Sequence, residues 1–360
     1  TQVMSMSVSV RTGDSEAAVT ISPLSLDASP LMDLPPPPEQ LAEFPAATGF
    51  FPYGEYFRGY LKGAGGNMVN HVSRQLRAYR RCYMNTYMSS EGGLLGNFKK
   101  TGTVPKLEEV RKRRMRVIPR ADMMRRFERD ANRRILRELP PEPATREATI
   151  ERLERGGFTL DLRRDFVEAY GDCLLAYDFA DEPQGQYIPN YMMLQSVYRE
   201  VDPDHPVLVI LNLNRTEFLP FMPIYYGDEY PVRSAKRGGR NPWAVTKMVR
   251  FCATHTKAPV WVMLQAFGGL PDYTWQLPDE AEMRLTIYEA IANGCKGITF
   301  HGSSSPPCWR YNLYYFDTAR DSWGVESPAW PAMREAGRHV SAIGGALLLT
   351  AVATFVTGSN

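Results

Sequence analysis

From Gly49 onward one pattern recurs: a short apolar run, then a stretch whose apolar residues fall at helical spacing. The runs are Gly49–Phe57, Tyr83–Met88, Met115–Pro119, Leu174–Pro183, Val207–Asn212, Ile224–Gly227, Val260–Gln265 and Gly297–Phe300. Between and after them the spacing predicts helices over Met68–Tyr79, from Leu107, from Met123, from Ala144, from Pro189 through Tyr198, over Trp243–Ala253, after Pro278 and over Trp330–Leu349. Eight alternating strand–helix units predict an α/β chain closed into a (β/α)8 TIM barrel. The competing doubly wound sheet lacks its usual mark, since no phosphate-binding glycine fingerprint follows the first strand. Pro189 suits a first helical turn, Asp202-Pro203 stops that helix, and Asp279 and Glu280 favour the start of the helix after Pro278. Leu285, Tyr288 and Ile291 are read as that helix's inner face.

Ahead of this repeat, residues 1–34 alternate weakly and contain the turn Thr12-Gly13-Asp14, which predicts two short strands. Pro35–Pro38 is a stiff spacer. The expected organisation is therefore an N-terminal β segment and polyproline linker over 1–40, then a barrel over 41–360. The opening Thr1 reads as a processed or trimmed start without a signal-peptide pattern. The apolar tail Ala342–Val356 falls short of the ~20 residues that span a bilayer, and it reads as a last packed helix with a frayed end.

The net charge of +2 gives no whole-molecule field toward nucleic acid or an anionic membrane, and neither is an expected partner. Twelve Arg or Lys residues between Arg111 and Arg137 are interrupted by acids, as on a solvated helix face; the functional reading of that stretch is contact with an anionic glycan. The five cysteines form no CxxC pair and the five histidines show no ligand spacing, so no metal and no cofactor are expected. Gly63–Asn67 lacks the lysine that ends a phosphate loop.

A barrel gathers residues from the carboxyl ends of its strands into one pocket. Here those ends supply Glu55, Asn85, Asp181, Glu182, Asn212, Asn214, Asp228, Glu229, Gln265 and His301, with Tyr226, Tyr230, Trp261, Trp275 and Trp309 beside them. Acids and amides bind hydroxyls and rings stack on the apolar face of a sugar, so the expected partner is a carbohydrate substrate. The run Leu174–Pro183 is the most telling, because it ends in two adjacent acids and a proline. Glycoside hydrolysis needs two carboxyl groups, one of them protonated. Glu182 is the candidate general acid/base. Asp228 is the first choice as partner, with Glu229 and Asp181 behind it. Neighbours on a strand point to opposite faces, so one of Asp181 and Glu182 alternatively caps the following helix or pairs with a neighbour. Glu55, Asn85, Asn212, Tyr226, Gln265, Trp275, His301 and Trp309 are candidate substrate-binding residues. Gln265 reads equally as an amide tied to backbone, His301 as a structural histidine, and each tryptophan as core or lid packing.

Asp181-Glu182-Pro183 resembles the acid/base segment of (β/α)8 glycoside hydrolases of the large retaining clan, and Tyr187–Pro206 is similar to the helix that follows it there. Asp228-Glu229-Tyr230-Pro231 resembles the D-x-Y-P segment of uncharacterised members. Gln265–Gly268, then Pro278, Glu280 and Arg284, then Ala290–Ile298, are similar to their last two units. The resemblance spans roughly residues 45–350. It implies a glycosidase whose nucleophile is a Glu at the end of the seventh strand, where this chain carries Gln265. Three readings follow: Asp228 or Glu229 takes that role; the substrate supplies its own nucleophile, as in hexosaminidases with an Asp-Glu pair; or the barrel binds glycans without cleaving them. A sugar-acid lyase or isomerase is a further alternative.

Overall fold

A computed structural model describes residues 4–12, 15–24, 49–57, 68–89, 103–119, 145–155, 159–183, 185–212, 216–268, 274–302, 314–317, 322–326 and 329–349. The chain divides into two compact units, Thr1–Pro36 and Pro37–Asn360. The first holds β1 (Met4–Thr12) and β2 (Ser15–Leu24), paired antiparallel, and Gly13 and Asp14 of the predicted turn lie outside the described residues. The polyproline run and the predicted helix from Met123 lie outside the described residues.

In the second unit eight parallel strands run β3 (Tyr53–Phe57), β4 (Thr86–Ser89), β5 (Arg116–Pro119), β6 (Tyr177–Asp181), β7 (Val207–Leu211), β8 (Tyr225–Glu229), β9 (Val260–Gln265) and β10 (Gly297–His301). Their order around the sheet is β5-β4-β3-β10-β9-β8-β7-β6. The seam between β5 and β6 is bridged by a parallel pairing of Val117 with Leu174, and the Leu175 amide donates to the Val117 carbonyl at 2.9 Å. The ring is therefore a (β/α)8 TIM barrel. Leu174–Ala176, expected to begin the fourth strand, makes this seam, and the strand proper starts at Tyr177.

The helices are α1 (Met68–Arg81), α2 (Thr103–Lys112), α3 (Arg146–Arg155), α4 (Leu160–Tyr170), α5 (Ile188–Arg199), α6 (Ala244–His255), α7 (Glu280–Ala292) and α8 (Trp330–Leu349). A further antiparallel pair, β11 (Tyr314–Asp317) and β12 (Ser322–Glu326), lies between β10 and α8. α2 starts four residues before the predicted Leu107, since Pro105 is tolerated in a first turn where no intrahelical donor is needed. α7 opens with a capping box: the Asp279 carboxylate accepts the Glu282 amide at 2.8 Å and Glu282 accepts the Asp279 amide at 3.0 Å. Its buried face is Met283, Thr286, Ile287, Glu289 and Ala290, not the predicted Leu285, Tyr288 and Ile291. Those three are half-buried at its flank, where the Tyr288 hydroxyl meets Nδ1 of His339 on α8 at 2.6 Å. A helix wedged between two neighbours in a ring buries more than the one stripe its periodicity shows.

The barrel interior is filled by Tyr56, Met88, Ile118, Leu175, Ala176, Leu208, Ile210, Ile224, Tyr226, Trp261 and Met263, all buried. Fully burying each large apolar side chain contributes about 1.5–3 kcal/mol, enough to fix the register of a short strand. Under β6, the turn Asp202-Pro203-Asp204-His205-Pro206 packs through polar contacts. Asp202 accepts from the Tyr177 hydroxyl at 2.6 Å and sits 2.7 Å from His205 Nδ1, while Arg163 lies 3.6 Å over the Tyr198 ring.

Candidate active site

The carboxyl ends of the parallel strands open on one side of the ring, and β6 delivers the acidic pair there. Its ladder with β7 slips between Asp178 and Ala180, leaving Phe179 as the extra residue of a β-bulge packed toward Tyr191 of α5. Bulges of this kind re-aim side chains at barrel rims. Beyond it Asp181 pairs with Ile210, and the Glu182 amide donates to the Ile210 carbonyl at 2.8 Å. Glu182 then turns into the left-handed region at φ 49°, a conformation that costs a non-glycine residue about 1–3 kcal/mol. The turn breaks the strand alternation, and the Glu182 side chain is exposed at the rim.

β8 supplies the next acids. Asp228 is only 4% exposed and lies two residues beyond Tyr226, on the face that lines the barrel interior. Burial holds the Tyr226 phenol well above its usual range, and Asp178 and Asp228 both add to that shift electrostatically. Asp178 is fully buried and the sequence reading missed it; the available signal was an acid in the middle of a strand otherwise buried on both faces. Glu229, on the opposite face of β8, is half-buried. Burial raises its pKa, and Arg233 at 3.7 Å opposes that shift.

Four sequence-predicted binding residues do other work. Asn85 precedes β4, at the amino-terminal end of the barrel. Its amide accepts from the Tyr53 backbone at 2.8 Å and donates to the Phe51 carbonyl at 3.0 Å. Glu55 is fully buried on the strand face shared with Tyr53, whose hydroxyl reaches the Met333 carbonyl of α8 at 2.5 Å, so it faces the helices. Tyr226 belongs to the interior, its hydroxyl bonded to Thr299 and 3.4 Å from the Met88 sulfur. Gln265 is a staple: its amide oxygen accepts the Val232 amide at 2.9 Å, and its nitrogen donates to the carbonyls of Val232, Phe267 and Gln276 at 3.0, 3.1 and 2.8 Å.

That staple holds together the segments following β8 and β9. Gln276 donates to the Val232 carbonyl at 2.9 Å, Ser234 to Thr274 at 2.9 Å, and Arg233 bridges to Trp275. The result is an aromatic cluster on the carboxyl-terminal side. Tyr230 lies 5.0 Å from Phe267, 6.5 Å from Trp275 and 5.5 Å from His301, and His301 stacks on Tyr56 at 5.4 Å. His301 ends β10 and is buried, Trp275 is half-buried, and Asn212 is half-buried just past β7. Trp309 and Asn214 lie outside the described residues, as does the side chain of Asp181. Among the described residues no group of three His, Cys, Asp or Glu side chains is placed to hold a metal ion. No helix among them is long and apolar enough to cross a membrane.

No protein-family model matches the sequence, and no curated protein is similar to it in sequence. Solved structures do share its fold, glycoside hydrolases among them. The β-galactosidase from the psychrophilic Marinomonas ef1 superposes with a TM-score of 0.60 at 10% identity, covering 84% of this chain and 62% of that one. A β-glucuronidase from an uncultured Clostridium sp. gives 0.54 at 10% identity, covering 92% of this chain and 56% of that one. The cold-adapted β-galactosidase from Rahnella sp. R3 gives 0.56 at 9% identity, covering 84% and 58%. The chain thus spans about three fifths of the length of these structures. At these identities the likeness is one of fold, a (β/α)8 barrel.

Proposed function

We propose that this barrel is a glycoside hydrolase with Glu182 as general acid/base and Asp228 as its partner carboxylate, Glu229 and Asp181 being next in line. The observation that carries the reading is Glu182 itself: an exposed acid held in a left-handed turn at the carboxyl end of the fourth barrel strand, just beyond a bulge. Strain of that kind persists where the surrounding fold enforces it and gathers at functional sites. An acid at the rim can hand a proton to a leaving oxygen. A carboxylate buried at the barrel interior, as Asp228 is, stabilises positive charge developing on the sugar ring, because low-dielectric surroundings strengthen the attraction. Tyr230 and Trp275, both half-buried, offer ring faces for the sugar.

The test is Glu182→Gln assayed on a panel of aryl glycosides. Turnover is expected to fall by roughly 10²–10⁴-fold with ligand binding retained; unchanged turnover removes Glu182 from the mechanism. The anomer first released, followed by NMR, assigns the partner's role. Retention requires carboxyls about 5–5.5 Å apart and inversion about 6.5–9.5 Å.

The second reading, a barrel that binds glycans without cleaving them, is favoured by Gln265, whose amide is committed to backbone at the position where the resembling enzymes carry their nucleophile. Glycan binding with no sugar released from any of the bound glycans would select it.

A further inference from the structure

The turn that follows β8 is both rigid and strongly basic. Val232 pairs with Arg240 across it, the Arg233 amide donates to Gly239 at 3.1 Å, and the Arg237 and Gly239 amides both donate to Ser234, at 2.8 and 3.0 Å. Gly238 and Gly239 take positive φ of 101° and 71°, which lets the chain reverse without strain. Within these few residues stand Arg233, Lys236, Arg237 and Arg240, all exposed. Arg240 is neutralised by a two-pronged pair with Glu282. Lys236 and Arg237 pair with no carboxylate among the described residues, and Arg233 has only Glu229, at 3.7 Å.

The position of this charge is what carries the argument. Arg233 Nε donates to the Tyr230 carbonyl at 3.0 Å, and the same residue bridges to Trp275. Arg233 is therefore anchored beside Tyr230 and Trp275, with Lys236 and Arg237 three and four residues further along the same turn. Concentrating like charge on a fixed turn costs self-repulsion, and a solvated surface has no need of it beside a ligand mouth. An anion arriving there finds a guanidinium fork already oriented, which removes part of the ordering cost of binding.

We infer that the site takes an acidic glycan, one whose sugar stacks on Trp275 or Tyr230 while its carboxylate or sulfate is held by Arg233 with Lys236 and Arg237. The inference rests on the glycan-active reading above and names its substrate class. Ordinary neutral sugars would gain nothing from the basic turn.

The experiment is calorimetric titration of the full chain with pectic oligogalacturonate, alginate and hyaluronan oligosaccharides, each compared with its methyl-esterified form. At least one acidic oligosaccharide is expected to bind about tenfold or more tighter than its ester, a difference of about 1.4 kcal/mol, and to weaken as salt is raised. The triple variant Arg233→Gln, Lys236→Gln, Arg237→Gln is expected to lose that preference. The double variant Lys236→Gln, Arg237→Gln, which leaves the Arg233–Tyr230 bond in place, is expected to lose part of it without a change in melting temperature. Equal binding of acid and ester, charge variants with unaltered preference, or no binding of any acidic oligosaccharide would each overturn the inference. Its failure is separable from that of the hydrolase: binding of acidic glycans without cleavage keeps this inference and sinks hydrolysis, while cleavage confined to neutral glycosides does the reverse.

Discussion

Replacing Gln265 tests the reasoning most directly, because the residue occupies a strand end where catalysis is expected and yet spends its whole amide on structure. It is 3% exposed and makes four hydrogen bonds to backbone. In Gln265→Leu the Val232 amide and the Phe267 and Gln276 carbonyls lose this partner, while the Val232 carbonyl keeps the Gln276 amide at 2.9 Å. Each buried polar group left unsatisfied costs about 1–3 kcal/mol; with some relaxation and water entry at the rim, the total is about 3 kcal/mol. Gln265→Glu keeps the volume and the acceptor for Val232 but points a second oxygen at three carbonyls. A buried carboxyl so placed has its folded pKa raised above the unfolded value of about 4.3. The folded variant then holds a proton that the unfolded chain releases, so its stability is near wild type below about pH 4.3 and falls as pH rises through the folded pKa. Urea unfolding followed by fluorescence across pH measures both variants. No gain of hydrolysis is expected from the new carboxyl, since it is turned into the loop staple. A Leu variant within about 1 kcal/mol of wild type, or a Glu variant that is pH-independent and hydrolyses faster, refutes the assignment.

Three further outcomes follow from the geometry. Glu229→Gln removes a carboxyl whose pKa burial raises, so the variant should be more stable than wild type at pH 7, with the difference closing as pH falls from the folded pKa to the unfolded value of about 4.3; thermal melts across pH check the sign. Gly54→Ala would set a Cβ 2.0 Å from the Thr86 carbonyl oxygen on the neighbouring strand, a backbone atom that cannot step aside, and should destabilise by about 1–3 kcal/mol in denaturant titration. Tyr53→Phe deletes the 2.5 Å bond to the Met333 carbonyl that ties β3 to α8 and should cost about 1 kcal/mol, read from the same titration.

The amino-acid sequence by itself determined the barrel. Apolar runs of strand length, each followed by a helix-period stretch, have few ways to bury both faces of a parallel sheet, so the strand positions could be read to within a few residues. The acidic start of α7 and the antiparallel pair ahead of the repeat were legible for the same reason, being local, whereas the Asp279–Glu282 capping box was not read. Tertiary structure alone decided which face each polar residue shows. Strand alternation says that neighbours diverge but not which one turns inward, so Glu55 fell to the helix side and Asp178 to the interior. A bulge and a left-handed turn then reset the pattern at Glu182, and nothing in a run of residue types marks either. Gln265 found partners in Val232 and Gln276, both more than ten residues away along the chain, and only the closed ring brings those segments to it.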